Sequence, residues 1–345
     1  MPNKPDILLI YTGGTIGMIK DPVSGALKAF DFDNLINKIP EINLLDCNIN
    51  TYSFTNPIDS SDFDVLHWQT LCQIIESRYE LFDGFVILHG SDTMSYSASA
   101  LSFAFDNLDK PIIFTGSQLP IGDLRTDAKE NLITSIELTL LKKDNTSLIK
   151  EVCLYFEYKL YRGNRSTKVS AANFNAFESP NFPILVESGV QLIYNEQVFL
   201  RPNSNKLNIN SNFNKDLFVL HLHPGINKEV IKIITKIPHL KALILVSYGS
   251  GNVTNIPWFL EAIDQITNLG IIIVNASQCR RGRIDMSKYE NGRHLLNKGV
   301  WSAHDMTLEA TIVKIMHLLA KEQTPKNQLK TLFETDLKGE LSNHF

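Results

Sequence analysis

Short runs of Ile, Val, Leu and Phe recur along the chain, and each is followed by turn residues and then by a longer segment with helical spacing. A strand that is apolar at every position is stable only in a sheet whose two faces are both covered. Parallel sheets flanked by helices meet that requirement, so the sequence predicts an α/β fold with a doubly wound sheet. The clearest runs are 6–11, 84–88, 111–115, 152–156, 217–222, 242–246 and 271–275.

Segments with helical spacing lie between these strands, and one polar stretch separates two groups of them. Residues 94–107, 126–142, 258–268 and 307–320 are the helix candidates, the last with Asp305 as a residue able to cap its start and Thr307 in its first turn. Six asparagines fall within 196–215, where no apolar periodicity is present. We therefore predict a larger N-terminal catalytic domain over 1–195, a linker over 196–215 and a smaller, flavodoxin-like α/β domain over 216–345.

Composition excludes several classes of partner. The net charge of −4 over 345 residues is too small to indicate a nucleic-acid-binding surface. No segment approaches the roughly 20 apolar residues of a membrane span, and the six or so near the N-terminus are too few for a signal peptide. The four cysteines are widely spaced, as in a protein with reduced thiols. We expect a cytoplasmic protein that binds neither nucleic acid nor membrane.

A glycine-rich turn follows the first predicted strand. Gly13 and Gly14 allow a sharp turn and a close approach of the backbone to a ligand, and Thr15 adds a hydroxyl. Ligands of open parallel sheets bind at the carboxyl ends of strands, so Thr15 is a candidate site residue. The alternative, at about even odds, is that Thr15 only caps a local turn.

A second turn of the same kind follows the strand at 84–88. It contains Gly90, Ser91 and Asp92, so it adds a hydroxyl and a carboxylate at the same edge of the sheet. Asp92 is also a candidate cap for the helix that begins near Met94. The short polar run at 59–62, taken alone, favours a helix cap by about three to one.

The segment at 161–168 is basic and ends in Lys168. A desolvated lysine beside a hydroxyl and a carboxylate can act as a base, whereas a solvated lysine would be only surface charge. His221 and His223 have no partner cysteines and the chain has no HExxH, so a metal site is not expected.

Taken together, these segments resemble the bacterial-type L-asparaginase family of threonine amidohydrolases, and within it the cytoplasmic type I branch. The two principal signatures are YTGGTIGM at 11–18 and LHGSDTM at 88–94. The resemblance covers nearly the whole chain in the family's order. The supporting motifs are DSSD at 59–62, TGSQLP at 115–120, LYRGNRSTK at 160–168, SYGSGN at 247–252 and DMTLEAT at 305–311.

The resemblance implies hydrolysis of L-asparagine to L-aspartate and ammonia, with glutamine a poorer substrate and with neither a metal nor an organic cofactor. It implies that Thr15 is the nucleophile and forms an acyl-enzyme. Ser91, Asp92 and Lys168 would form a second catalytic group, in which Lys168 assists proton removal.

The resemblance also implies how the substrate and a second chain are bound. Asp92 would hold the α-amino group of the substrate, while Asp59, Ser60 and Ser61 would contact its α-amino and α-carboxylate ends. Family members form intimate dimers that often pair into tetramers, so a homotetramer is expected. Asn252 would then reach the site from the neighbouring chain.

Two departures from the family pattern concern the catalytic groups. Ser91 stands where the family usually has Thr, which frees the hydroxyl to rotate. The lid that follows the first signature usually supplies a Tyr, yet 18–30 contains none, and aligning Gly25 with the family's glycine puts Ala26 at that position. Either another Tyr substitutes or the proton takes a different path.

A third departure concerns the asparagine effector site of type I members. Thr167 and Cys279 match that site, but Val246 replaces the Arg expected beside them. An apolar side chain cannot bind a carboxylate, so asparagine allostery at this site is predicted to be absent or altered.

Two other functions remain open. One is an amino-acid-binding sensor without catalysis, suggested by the missing Tyr and by Ser91. The other is the ammonia-releasing subunit of a tRNA-dependent amidotransferase, which is expected to carry an additional domain before the first signature.

Overall fold

A computed structural model describes residues 4–20, 27–29, 39–201 and 206–342 of the chain. It forms two compact units, Met1–Ser211 and Asn212–Phe345. The larger unit carries a large sheet with helices and the smaller one a parallel sheet with helices, which confirms the predicted α/β class. Within the segment predicted as the linker, residues Asn208–Ile209 pair with a strand of the first unit.

The first unit contains three α-helices and most of the short strands in the described residues. Its helices are α1 (Val65–Glu76), α2 (Met94–Ala104) and α3 (Ala128–Thr139). Its strands are β1 (Asp6–Tyr11), β2 (Met18–Lys20), β3 (Leu27–Ala29), β4 (Asn48–Ser53), β5 (Gly84–Leu88), β6 (Phe105–Asp106), β7 (Ile112–Thr115), β8 (Lys142–Lys143), β9 (Thr146–Ser147), β10 (Val152–Phe156), β11 (Lys159–Arg162), β12 (Thr167–Lys168), β13 (Phe177–Glu178), β14 (Val186–Ser188), β15 (Leu192–Tyr194) and β16 (Asn208–Ile209).

The main sheet of this unit has the strand order β15-β14-β11-β10-β7-β5-β1-β4. The five strands from β10 to β4 are parallel, and β11, β14 and β15 extend the sheet antiparallel. Every residue of β5, β7 and β10 is buried, as their continuous apolar runs require. Because β1 and β5 are parallel neighbours with Tyr11 opposite Leu88, the turns that follow them emerge at one edge of the sheet.

Local side-chain contacts fix where the helices begin. At the start of α1, the Asp64 carboxylate accepts from the N–H of Leu66 at 2.7 Å, and the N–H of Asp64 donates to His67 Nδ1 at 2.9 Å. The residue that precedes α2 is Thr93, which makes no side-chain cap. Asp92 is therefore not the cap of this helix, contrary to one reading of the sequence.

The second unit contains a parallel sheet whose four strands follow chain order. One face packs on α4, α5 and α6, and the other packs on α7 and α8, so both faces are apolar. Its strands are β17 (Leu217–His221), β18 (Ala242–Ser247), β19 (Ile272–Ser277) and β20 (Trp301–Ser302). Its helices are α4 (Lys228–Ile234), α5 (Pro257–Asn268), α6 (Glu290–Asn297), α7 (Leu308–Leu319) and α8 (Lys326–Phe333).

Two polar contacts attach the C-terminal segment to this unit. Lys314 and Glu340 are fully buried and form an ion pair. Thr307 caps α7, whereas Asp305 accepts from the N–H and the hydroxyl of Ser342 at 2.9 and 2.7 Å. Asp305 therefore fixes the end of the described chain and does not cap the helix.

Candidate active site

The turns after β1 and β5 contact each other through their backbones. Gly14 has a φ of 87°, and a Cβ built on it would lie 2.5 Å from the backbone N of Gly90. Gly13 has a φ of 133°, and its Cβ would lie 2.1 Å from the carbonyl oxygen of Ile58. Only glycine fits at either position. Thr15 follows directly, is half-buried, and begins a short 3₁₀ turn.

The 59–61 segment packs against the same two turns. The N–H of Ile58 donates to the Thr12 carbonyl at 2.8 Å, and the Thr93 hydroxyl donates to the Ser60 carbonyl at 2.6 Å. Ser60 is buried against Gly90. Thus the turns that carry Thr15, Ser60 and Ser91 meet at the carboxyl end of the sheet.

The Asp59 carboxylate caps the 3₁₀ turn at Ser60–Asp62. Its Oδ1 accepts from the N–H and the hydroxyl of Ser61, both at 2.9 Å. These hydrogen bonds hold the pKa of Asp59 below its ordinary value, so the carboxylate is charged at neutral pH. The sequence favoured a helix cap here, but the run caps only this short turn, because the cap of α1 is Asp64; Asp59 itself is exposed.

Lys168 contacts both polar side chains of the second turn. Its Nζ donates to Ser91 Oγ at 2.8 Å and to Asp92 Oδ1 at 2.6 Å. The Lys168 side chain is only 17% exposed, whereas that of Asp92 is 66% exposed. The amine is thus held away from water while the carboxylate faces solvent. Lys168 lies in β12, which pairs with β13.

Gln118 completes this group, although the sequence did not single it out as a site residue. The Ser91 hydroxyl donates to Gln118 Oε1 at 3.3 Å, and Gln118 Nε2 donates to the Asn173 carbonyl at 3.0 Å. The Asp127 carboxylate accepts from the backbone N–H of Gln118 at 2.9 Å. The residue lies within the TGSQLP motif, so the motif pointed to the segment without indicating this contact.

Two backbone donors in these turns have no acceptor among the described residues. Across residues 4–20, 27–29, 39–201 and 206–342, the N–H groups of Thr15 and Ser91 donate to no backbone or side-chain oxygen. Backbone N–H groups that are available and close to a nucleophile are suited to stabilise an oxyanion. The arrangement can therefore support nucleophilic attack on a carbonyl or amide.

The lid positions considered in the sequence, Gly25 and Ala26, lie outside the described residues. A different tyrosine, Tyr11, lies close to the first turn. Its ring packs against Gly17, where an added Cβ would lie 2.3 Å from Tyr11 Oη. Burial raises the pKa of Tyr11 to about 12, so its phenol stays protonated at neutral pH.

The remaining sequence candidates divide between the two units. Thr167 is half-buried in β12 and belongs to the first unit. The second unit contains Val246, Cys279 and Asn252. In the second unit, Val246 is buried in β18, and Cys279 is exposed. Asn252 follows a tight turn in which its N–H donates to the Tyr248 carbonyl at 2.8 Å.

The described residues contain neither a cluster suited to a metal ion nor a helix suited to a membrane. No group of three or more His, Cys, Asp or Glu side chains in them is arranged to hold a metal ion. No helix in the same part of the chain is long and apolar enough to cross a membrane.

Family models match both parts of the chain. The model described as "Asparaginase, N-terminal" matches residues 6–199, and the "Glutaminase/Asparaginase C-terminal domain" matches residues 216–333. The chain belongs to the asparaginase family.

Individual relatives match this chain over nearly their whole length. The chain is 38% identical to L-asparaginase 1 of Escherichia coli K12, with 98% of each chain covered. The crystal structure of L-asparaginase I from Vibrio cholerae matches with a TM-score of 0.88 at 36% identity, covering 98% of this chain and 99% of that one. The thermostable L-asparaginase from Thermococcus kodakarensis also matches with a TM-score of 0.88, at 28% identity and 98% and 100% coverage.

Proposed function

We propose that this protein is an L-asparaginase that hydrolyses L-asparagine to L-aspartate and ammonia through a threonine nucleophile. The observation that carries the proposal is the double contact of Lys168 with Ser91 and Asp92, in the turn that packs on the glycines preceding Thr15. Membership of the asparaginase family supports the same chemistry.

In the first step, Thr15 Oγ1 attacks the side-chain amide carbon of the substrate. A threonine hydroxyl is a weak nucleophile until a base takes its proton. Lys168 assists removal of that proton through Ser91, and the Asp92 carboxylate stabilises the ammonium group that results. The N–H groups of Thr15 and Ser91 hold the oxyanion.

The Lys168 ammonium then returns the proton to the leaving nitrogen, the C–N bond breaks and ammonia departs; in the second step, water cleaves the resulting Thr15 ester and frees L-aspartate. The same Lys168 and Ser91 pair is available to remove a proton from that water. In the structure the Ser91 hydroxyl donates to Gln118 and accepts from Lys168 Nζ, so Ser91 must turn its hydrogen from Gln118 to Lys168 when it passes the proton on. The contact with Gln118 helps to orient the Ser91 hydroxyl, which has no threonine methyl to restrict its rotation.

Substrate recognition is assigned to the charged and hydroxyl groups around the cleft. The Asp92 and Asp59 carboxylates attract the α-ammonium group, the Ser60 hydroxyl donates to the α-carboxylate, and Ser61 holds the Asp59 carboxylate in place. Asn252 contributes from the neighbouring copy of a homo-oligomer, an intimate dimer that pairs into a tetramer. The sequence resemblance supports this oligomeric state, and sedimentation of the purified protein tests it.

An ammonia-release assay with L-asparagine and L-glutamine over a range of concentrations tests the proposal. Thr15→Ala is expected to lower kcat by more than a hundredfold, because the proposed acyl-enzyme forms on the hydroxyl that this substitution removes. Thr146→Ala, at an exposed threonine in β9, is the matched control and should keep full activity. A Thr15→Ala protein that retains most of its activity would contradict the assigned nucleophile.

The sensor function remains the second candidate because Ser91 replaces the usual threonine. Calorimetric titration distinguishes it: tight asparagine binding with no ammonia release favours a sensor. Allostery is tested in the same assay. Since Val246 cannot bind a carboxylate, we expect a hyperbolic rate curve; a sigmoidal curve abolished by substituting Thr167 or Cys279 would contradict this.

We also propose a cytoplasmic location. All four cysteines are free thiols, as a reducing compartment favours. Cell fractionation tests this.

A further inference from the structure

His89, the residue between β5 and the second turn, is completely buried and is not used by the mechanism above. Its ring lies between those of Phe63, at 4.4 Å between centroids, and Phe114, at 5.8 Å. Burial lowers the pKa of His89 to about 4, so the ring is neutral at neutral pH. A neutral imidazole has one donor nitrogen and one acceptor nitrogen.

The neighbours of His89 allow a single arrangement of its proton. Nδ1 lies 2.7 Å from the carbonyl oxygen of Gly90, which only accepts, so Nδ1 carries the hydrogen. Nε2 must then accept, and its partner at 2.9 Å is the Ser97 hydroxyl. Trp68 Nε1 in turn donates to Ser97 Oγ at 3.0 Å, which leaves the Ser97 hydrogen for His89.

This chain of hydrogen bonds ends on the peptide group that joins Gly90 to Ser91. In a trans peptide the C=O and the N–H point in opposite directions. A carbonyl of Gly90 held toward the buried imidazole therefore turns the N–H of Ser91 the other way, where no described oxygen accepts it. Without the imidazole, a peptide that follows glycine has little else to fix its plane.

We propose that His89 is a positioning residue that holds the Gly90–Ser91 peptide so that the Ser91 N–H faces the amide of the substrate. The inference rests on the amide hydrolysis proposed above. His89 is too deeply buried to contact substrate, so it acts only through the turn.

The test compares two substitutions at His89 by kinetics and by thermal unfolding. His89→Leu keeps an apolar side chain but loses the donor, and kcat for asparagine should fall by about 10- to 100-fold, with a smaller change in KM. His89→Asn places an amide N–H near the position of Nδ1 and should recover at least part of kcat. The control is His67→Asn, because the ring of His67 also packs on Phe63, at 4.9 Å, but belongs to the start of α1.

The His67→Asn control is expected to lower Tm while leaving kcat within about twofold of wild type. A His89→Leu protein with wild-type kcat would overturn the inference, as would equal loss of kcat in the Leu and Asn variants. If His89→Leu does not fold, Ser97→Ala provides the test, because removing the donor to Nε2 should lower kcat several-fold. An unchanged kcat there overturns the inference.

The same measurements separate this inference from the proposed function. A wild-type protein that releases ammonia from neither amide removes the proposed function and the inference together. Active wild type with an equally active His89→Leu variant removes the inference alone.

Discussion

The neutral, buried His89 predicts a specific loss of stability in acid. In the folded protein, burial lowers the pKa of this ring to about 4, from its ordinary value of 6.5. Below 6.5 the unfolded chain binds a proton at this position that the folded chain does not, so the free energy of unfolding falls as the pH falls from about 6.5 to about 4. With about 1.4 kcal/mol for each pH unit, the loss amounts to about 3 kcal/mol.

Other buried groups titrate in the same range and must be separated from His89. Burial raises the pKa of Asp127 and of Glu130, so these carboxyls take up protons in the folded state and act in the opposite direction. The His89→Asn variant retains both carboxyls and lacks only the imidazole. The stability difference between wild type and His89→Asn therefore isolates His89.

The assay is urea unfolding of both proteins at several pH values between 7 and 4. We expect the stability of wild type relative to His89→Asn to decrease by about 3 kcal/mol over this range, with a slope of no more than about 1.4 kcal/mol per pH unit. Parallel curves for the two proteins would refute the assigned protonation state. They would also remove the physical basis for the hydrogen-bond chain to Gly90.

Two further predictions concern the buried ion pair of the second unit and the packed turns of the first. Lys314→Met leaves the carboxylate of Glu340 buried without its partner, so it should lower the free energy of unfolding in urea by about 3–5 kcal/mol. Adding Glu340→Gln should restore part of that loss. A Lys314→Met protein as stable as wild type would contradict the prediction. Gly14→Ala places a methyl group 2.5 Å from the backbone N of Gly90 and should abolish ammonia release. The control is Gly122→Ala, which should stay active because an added Cβ there has no atom within 4 Å. Equal activity of the two variants would be inconsistent with the close packing of the two turns.

The sequence predicted the strands more closely than the helix ends. The runs at 84–88 and 152–156 have the bounds of β5 and β10 because a strand covered on both faces is apolar from end to end. The helix predicted over 94–107 ends at Ala104, where Phe105 and Asp106 pair with Asn208–Ile209. That pairing joins residues about a hundred positions apart, so no local pattern indicates it.

The catalytic candidates follow a similar division. The sequence indicated Thr15, Ser91 and Lys168 as site residues because each lies in a motif that resembles one of the asparaginase family. Gln118 and His89 were missed as site residues because an amide and a buried imidazole look like ordinary core or loop residues in the sequence. Their contacts with Ser91 and Gly90 exist only in the folded chain.

The sequence by itself determined the α/β class, the buried apolar strands and the turns that follow them, because continuous apolar runs and glycine-hydroxyl turns are local properties. It also indicated the asparaginase family through motifs spread along the chain. Only the tertiary structure decided which partner each polar group has. Lys168 meets Asp92 across 76 residues of sequence, and the single proton arrangement of His89 depends on acceptors and donors from three separate segments. Hydrogen bonds and ion pairs act over a few ångströms, so their partners are set by packing rather than by position along the chain.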